Sequence, residues 1–382
     1  MKLHELIKYI IDKPLGIKDK KLFVNRKEEI DVLSNIVRYQ PFGIFGVAGE
    51  TGIGKTTVLN FIECEDIYSI RITLTFRESV ESILYDLLFN FSKNLENDKQ
   101  LSKVATEIKK WVVEEVATVK GYSLGVSLYA SANVDSQTTK MPRFNFFAAK
   151  ERLGELIKKT VSAKGKLVLI VDELDKESKD DVLRIIDALK NEMMFDNVVT
   201  IMTLPYSIYR EYKHDRMRWS ETGNLENIFK DIVFLEELTN SDIKELLIRR
   251  IDRFIDIISP KSFDIIAEFS DGNPRDALWI LSKIIFDNIE KEFLSEEDTI
   301  SSIKKIIGEY LDELNFTPLQ KKAFELLKNQ SGPRDEFQKL LEENGIKRTT
   351  AYSILNAFIN KGIIISRGNT LKFSGKYKFL ES

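Results

Sequence analysis

The chain has 382 residues, enough for two or three domains. Hydrophobic residues make up 43% of it and charged residues 31%, so a sizeable core can form, and no apolar run approaches the ~18 residues needed to cross a bilayer. The single cysteine, Cys64, excludes an internal disulfide, and with only His4 and His214 besides, a structural zinc site lacks a ligand set.

A cytoplasmic protein with no membrane partner is expected. Residues 1–16 interleave charges with apolar positions and suit an amphipathic helix, not a secretory leader. Net charge is −3, unevenly spread. Residues 317–382 carry 12 Lys+Arg against 6 Asp+Glu, a surplus of six positive charges on an otherwise acidic chain. A basic end segment on an acidic body points to an anionic partner.

In chain order, residues 42–47 form a short apolar run that leads into Gly49-Glu50-Thr51-Gly52-Ile53-Gly54-Lys55-Thr56. This is the Gly-x4-Gly-Lys-Thr pattern of a phosphate-binding loop. Its glycines permit a tight turn whose N–H groups point inward at phosphate oxygens. Lys55 is expected to reach the β- and γ-phosphates, and the Thr56 hydroxyl to bind Mg²⁺, with Thr57 beside the nucleotide. Residues 56–63 continue as a helix. Residues 67–76 alternate as a strand, and 77–97 and 101–115 are amphipathic helices. Residues 118–140 are rich in Gly, Ser, Thr and Val and suit an inserted β-hairpin or a mobile loop.

Residues 146–163 are helical. Residues 166–171 are almost wholly Leu, Val and Ile, as in strands buried on both faces of a parallel sheet. That strand ends in Asp172-Glu173. Asp172 is expected to hold Mg²⁺, and Glu173 to polarise the attacking water as general base. A helix over 179–194 and strands over 198–204 and 232–235 complete an α/β alternation. From 240 to 315 only helices are expected.

Beyond residue 317 the pattern becomes three short helices and two short strands. The helix over 348–361 puts Ala351, Ile354, Leu355, Phe358 and Ile359 on one face. Residues 335–344, a turn, that helix and a hairpin over 363–373 follow the winged-helix order, in which the second helix enters the major groove. Arg348, Arg367, Lys372, Lys376 and Lys378 would then contact phosphates. Thr349, Tyr352, Ser353 and Asn356 would line the groove-facing side.

Taken together, these motifs resemble the AAA+ ATPases, and most closely the archaeal ATPases and replication initiators that carry a C-terminal winged helix. Phe23-Val24-Asn25-Arg26-Lys27-Glu28-Glu29 resembles the box whose backbone cups the adenine. Thr203 matches the sensor 1 position. Gly272-Asn273-Pro274-Arg275 matches sensor 2, whose arginine contacts the γ-phosphate from a helical lid. The resemblance implies an arginine finger near Arg216 and Arg218, assigned to Arg218. The expected fold is therefore an AAA+ parallel five-stranded P-loop sheet with a helical lid and a winged helix. The expected divisions are 1–20, 21–237 (with the insert at 118–140), 238–316 and 317–382.

The expected function is binding and hydrolysis of Mg-ATP together with binding of double-stranded DNA through the C-terminal segment. The ATP state would control assembly or DNA affinity, with self-association on ATP or DNA. The alternative is a signal-transduction ATPase switch whose winged helix is an intramolecular or protein–protein module.

Overall fold

The computed structural model describes residues 3–62, 67–74, 79–117, 145–217, 224–313 and 315–380. The expected insert at 118–140 and Arg218 lie outside the described residues. The chain divides into two compact units, one of Arg26–Glu236 and one of Met1–Asn25 with Glu237–Ser382.

The first unit is built on five strands: β1 (Gly43–Ala48), β2 (Tyr68–Thr73), β3 (Leu167–Asp172), β4 (Val198–Leu204) and β5 (Phe229–Phe234). They pair in the order β2-β3-β4-β1-β5, all parallel. Among the described residues, the α-helices that accompany them are α1 (Lys27–Tyr39), α2 (Lys55–Asn60), α3 (Val80–Leu95), α4 (Ser102–Ala117), α5 (Phe146–Lys164), α6 (Lys179–Leu189), α7 (Tyr206–Arg216) and α8 (Asn224–Ile228).

The three central strands β1, β3 and β4 are buried along their whole length. Successive side chains of a strand face opposite ways, and the burial follows that rule. Ile44, Leu169, Val171 and Met202 join a large core with α3 to α6. Phe45, Val47, Val168, Ile170 and Ile201 join a smaller one with α1 and α2. At Gly46 a Cβ would come within 2.6 Å of Leu204 Cδ1, so the two strands meet there over a missing side chain.

The second unit holds α9 (Asn240–Ile251), α10 (Pro260–Phe269), α11 (Pro274–Asp287), α12 (Glu296–Glu313), α13 (Pro318–Leu327), α14 (Arg334–Glu343) and α15 (Arg348–Asn360). The strands β6 (Ser331–Pro333), β7 (Ile364–Arg367) and β8 (Thr370–Phe373) form an antiparallel sheet in the order β6-β8-β7. One hydrophobic core runs from α9 to the C-terminal sheet and includes Leu3, Leu6 and Ile10.

The N-terminal segment, expected to be an amphipathic helix, holds a 3₁₀ helix over Leu3–Tyr9. Leu3 and Leu6 are fully buried, and the Tyr9 ring lies tilted against Phe254 with centroids 5.3 Å apart. That three-residue repeat is the period of a 3₁₀ helix. Among the described residues no helix is long and apolar enough to cross a membrane.

Candidate functional site

In a parallel sheet, ligands collect beyond the carboxyl ends of the strands. Register pairs Val47 of β1 with Thr203 of β4, and Val171 of β3 with Met202 of β4. The loop after β1, Thr203 and Asp172 therefore emerge side by side at one edge.

The loop's glycines carry positive φ angles, +156° at Gly49, +89° at Gly52 and +105° at Gly54. At Gly49 a side chain would also meet the Leu235 carbonyl at 2.9 Å, so only glycine fits. Ile53, Val58 and Leu59 are buried in the smaller core and fix the loop and α2 to the sheet. Glu50 and Thr51 are exposed. Lys55 is 4% exposed, its Nζ donating to the carbonyls of Gly49 at 2.7 Å and Glu50 at 2.8 Å. The same ammonium lies 2.9 Å from Asp175. Arg26, in the box before α1, is 6% exposed with φ +72° and pairs with Glu29 at 2.9 Å.

Asp172, 3% exposed, is a convergence point. Its Oδ1 accepts from the Glu173 backbone N–H at 2.8 Å and from the Thr56 hydroxyl at 3.3 Å. Its Oδ2 lies 3.7 Å from Arg71 of β2. Glu173 adopts φ +68° and turns the chain out of β3. Its carboxylate is half-exposed and held by Lys176 at 2.7 Å. Thr203 is fully buried, and its hydroxyl accepts from the Leu174 N–H at 3.2 Å. The sensor 1 candidate thus grips the backbone directly after Glu173.

Sequence reasoning placed Asp175 in the acidic motif after β3 without its contact to Lys55, and gave no role to Arg71. Arg71 on β2 carries no local signature of its own.

These residues fit a magnesium nucleotide. A hydroxyl and a carboxylate stand at hydrogen-bonding distance, as suits a cation held by one protein carboxylate and substrate phosphates. A buried ammonium and a loop of left-handed glycines stand beside them.

The remaining candidates are placed as follows. In the second unit, Gly272 has φ +80°, and a Cβ there would meet the Leu238 carbonyl at 2.3 Å. Asn273 caps α11 by accepting the Arg275 N–H at 3.0 Å, and Pro274 takes the first helical position. Arg275 sits in that first turn, with its Nε 2.9 Å from Asp12. In the first unit, Arg216 bonds the Tyr212 hydroxyl at 2.9 Å, closing back on its own helix.

On α15, Arg348, Thr349, Tyr352 and Ser353 are exposed. Asn356 instead accepts from Arg334, whose guanidinium covers the Tyr352 ring at 4.7 Å.

The cations of the hairpin and of the tail after it, expected to contact phosphates, have acidic partners within the chain. Arg367 pairs with Glu237, Lys372 with Asp271 at 2.9 Å, Lys376 with Asp276 at 2.5 Å and Lys378 with Glu268 at 2.5 Å. Asp271 also accepts from the Ser374 hydroxyl at 2.7 Å and the Gly375 N–H at 3.0 Å. A charge count cannot reveal this, because the partners lie about a hundred residues away in sequence.

The sequence profile described as the KAP family P-loop domain matches residues 26–324. No curated protein matches the sequence. Among solved structures, the chain is similar to a Walker-type ATPase of Pyrococcus abyssi at 14% identity, covering 96% of this chain and 98% of that one, with a TM-score of 0.48. It is similar to the RuvB Holliday junction branch migration motor of Thermotoga maritima at 14% identity, covering 96% of each chain, with a TM-score of 0.39. A third similarity is to a Signal Transduction ATPase with Numerous Domains from Pyrococcus horikoshii, which carries a tetratricopeptide repeat sensor. It stands at 15% identity and a TM-score of 0.37, covering 97% of this chain and 44% of that one.

Proposed function

The chain belongs to the KAP family of P-loop NTPase domains, and from that premise we propose that it is an ATP-hydrolysing switch whose C-terminal segment packs within the same chain. The observation that carries the catalytic part is the meeting of Lys55, Thr56 and Asp172 at the ends of β1 and β3, with Thr56 Oγ1 3.3 Å from Asp172 Oδ1.

Residues 49–54 wrap the phosphates, and Thr57 lies next to them on α2. Lys55 neutralises their charge. Thr56 and Asp172 would hold Mg²⁺, which supplies charge neutralisation at the transferring phosphoryl group. Glu173 orients the attacking water and takes its proton. Thr203 fixes the turn that carries Glu173. Arg275 contacts the terminal phosphate, and Arg218 is assigned as the finger reaching a neighbouring subunit on ATP-dependent self-association.

Substitution tests this reading. Lys55→Ala loses nucleotide binding, whereas Glu173→Gln binds ATP and releases no phosphate. Turnover of the Gln variant at the parent rate removes Glu173 from the mechanism.

The C-terminal helices and hairpin are assigned as a winged helix acting as an intramolecular module. The docking of four hairpin and tail cations onto Glu237, Asp271, Asp276 and Glu268 supports this. The rival reading, binding of double-stranded DNA, is favoured by the exposed polar face of α15 and the surplus of six charges after residue 317.

A further inference from the structure

Arg275 is gripped from one side only. Its Nε meets Asp12 Oδ2 at 2.9 Å, and neither terminal guanidinium nitrogen has a polar partner among the described residues. An arginine bound at Nε has lost the rotation of its last torsions, yet it keeps the Nη1–Nη2 edge open. That edge is a fork which matches two phosphate oxygens.

Asp12 is itself held in place. Ile10 and Leu15, on either side of it, are each 5% exposed. Arg250 of α9, 8% exposed, donates its Nη1 to the Ile11 carbonyl at 3.3 Å. Burial lowers the pKa of Arg250, while the nearby carboxylates of Asp19 and Asp12 raise it. Upstream, the 3₁₀ turn buries Leu3 and Leu6 in the core that α9 and α11 share. The strap that carries Asp12 is therefore anchored before and after the carboxylate. The family match begins at residue 26, so this partner comes from outside the matched domain.

We infer that Asp12 is a positioning residue for Arg275: it fixes the guanidinium through Nε and leaves the fork for the terminal phosphate of a nucleoside triphosphate. This rests on the reading of Arg275 as the phosphate contact. The pair is about half exposed at both partners, 45% and 44%, and an exposed ion pair of this kind contributes modestly. The expected loss on removing it is about two- to fivefold.

The test compares full-length wild type with Asp12→Ala, Asp12→Asn, Arg275→Ala and the Ala/Ala double variant. The readouts are kcat, KM for ATP, and the Kd values of ATP and ADP by titration. Asp12→Ala should lower kcat and weaken ATP about two- to fivefold, and leave the Kd of ADP, which lacks the third phosphate, unchanged. Asp12→Asn keeps an oxygen acceptor for Nε but loses the charge, and should recover part of the loss. In the Arg275→Ala background, Asp12→Ala should do nothing.

An unchanged Asp12→Ala enzyme overturns the inference. So does an equal loss with or without Arg275. An Asn variant as impaired as the Ala variant does the same, since it makes the effect one of charge. If Arg275→Ala alone leaves both ATP affinity and turnover intact, the assignment of Arg275 falls first, which separates that failure from a failure at Asp12.

Discussion

Replacing Asp271 should release the C-terminal hairpin from the helices that precede it. The Asp271 side chain is 9% exposed and takes donors from Lys372 Nζ at 2.9 Å, Ser374 Oγ at 2.7 Å and the Gly375 N–H at 3.0 Å. Ser374 and Gly375 are both buried, so Asp271→Ala leaves two buried donors with no acceptor. A hydrogen bond to a charged group contributes about 1.5–3 kcal/mol, and a stranded buried donor costs about 1–3 kcal/mol. Because the two donors share one acceptor, their costs do not add in full, and a loss of about 3–4 kcal/mol is expected. Asp271 also sits at φ +50°, where asparagine is tolerated and alanine costs about 1 kcal/mol more. Asp271→Asn keeps an acceptor and the backbone preference, and should lose roughly half as much. Urea titration followed by tryptophan fluorescence, with limited proteolysis to locate the opening, measures both. A loss below about 0.5 kcal/mol for the alanine variant, the range of ordinary surface substitutions, would refute the docking argument.

Thr203→Val preserves shape and strands the Leu174 N–H; it should lower kcat about tenfold, equivalent to ~1.4 kcal/mol of barrier, while a nucleotide titration finds ATP affinity unchanged. A loss of affinity equal to the loss of rate would remove Thr203 from its assigned place. Asp98, hydrogen-bonded by Lys164 at 2.6 Å, is held below the ordinary carboxylate value of 3.8. Its contribution to stability is present above the unfolded value and disappears as pH falls through the folded one. The gap between wild type and Asp98→Asn at neutral pH should therefore close below about pH 4, as denaturation at several pH values will reveal. For the nucleic-acid reading, a fluorescence-anisotropy titration with duplex DNA at low salt is decisive. If the hairpin stays docked, Arg367→Ala and Lys372→Ala leave any salt slope unaltered, whereas a flattening by about 0.9 per residue places both on phosphates.

Much of the first unit was legible in the sequence, because its signals are local. Continuous apolar runs marked β1, β3 and β4 to within a residue or two, and the glycine pattern fixed where the phosphate loop turns. The fifth strand starts at Phe229, three residues before the apolar run that announced it, because Lys230 and Asp231 point outward and mask it. The helix over Tyr206–Arg216 went unrecognised, its polar composition giving no clear stripe. β6 consists of Ser-Gly-Pro, a turn signature by composition, and is a strand only because β8 supplies the hydrogen bonds. Among the site residues, Lys55, Thr56, Asp172 and Glu173 announce themselves by motif. Asp12 and Arg71 matter through proximity in space, which no local pattern encodes. The intramolecular partners of the basic hairpin were hidden for the same reason. Its charge was counted correctly, and its partners, Asp271 above all, were invisible.

The alternation along the central strands divides labour between neighbouring positions. Ile44 and Phe45 are adjacent in β1, yet they serve different cores. The smaller core counts Ile53, Val58 and Leu59 among its members, so the bed beneath the phosphate loop is laid by side chains on one side of the sheet. A truncation at Phe45, Ile170 or Ile201 undermines that bed, and one at Ile44, Leu169 or Met202 slackens the opposite helical layer instead. Two neighbouring substitutions of equal size should therefore differ in kind. One is felt as altered grip on nucleotide, the other as lowered resistance to unfolding with the grip intact.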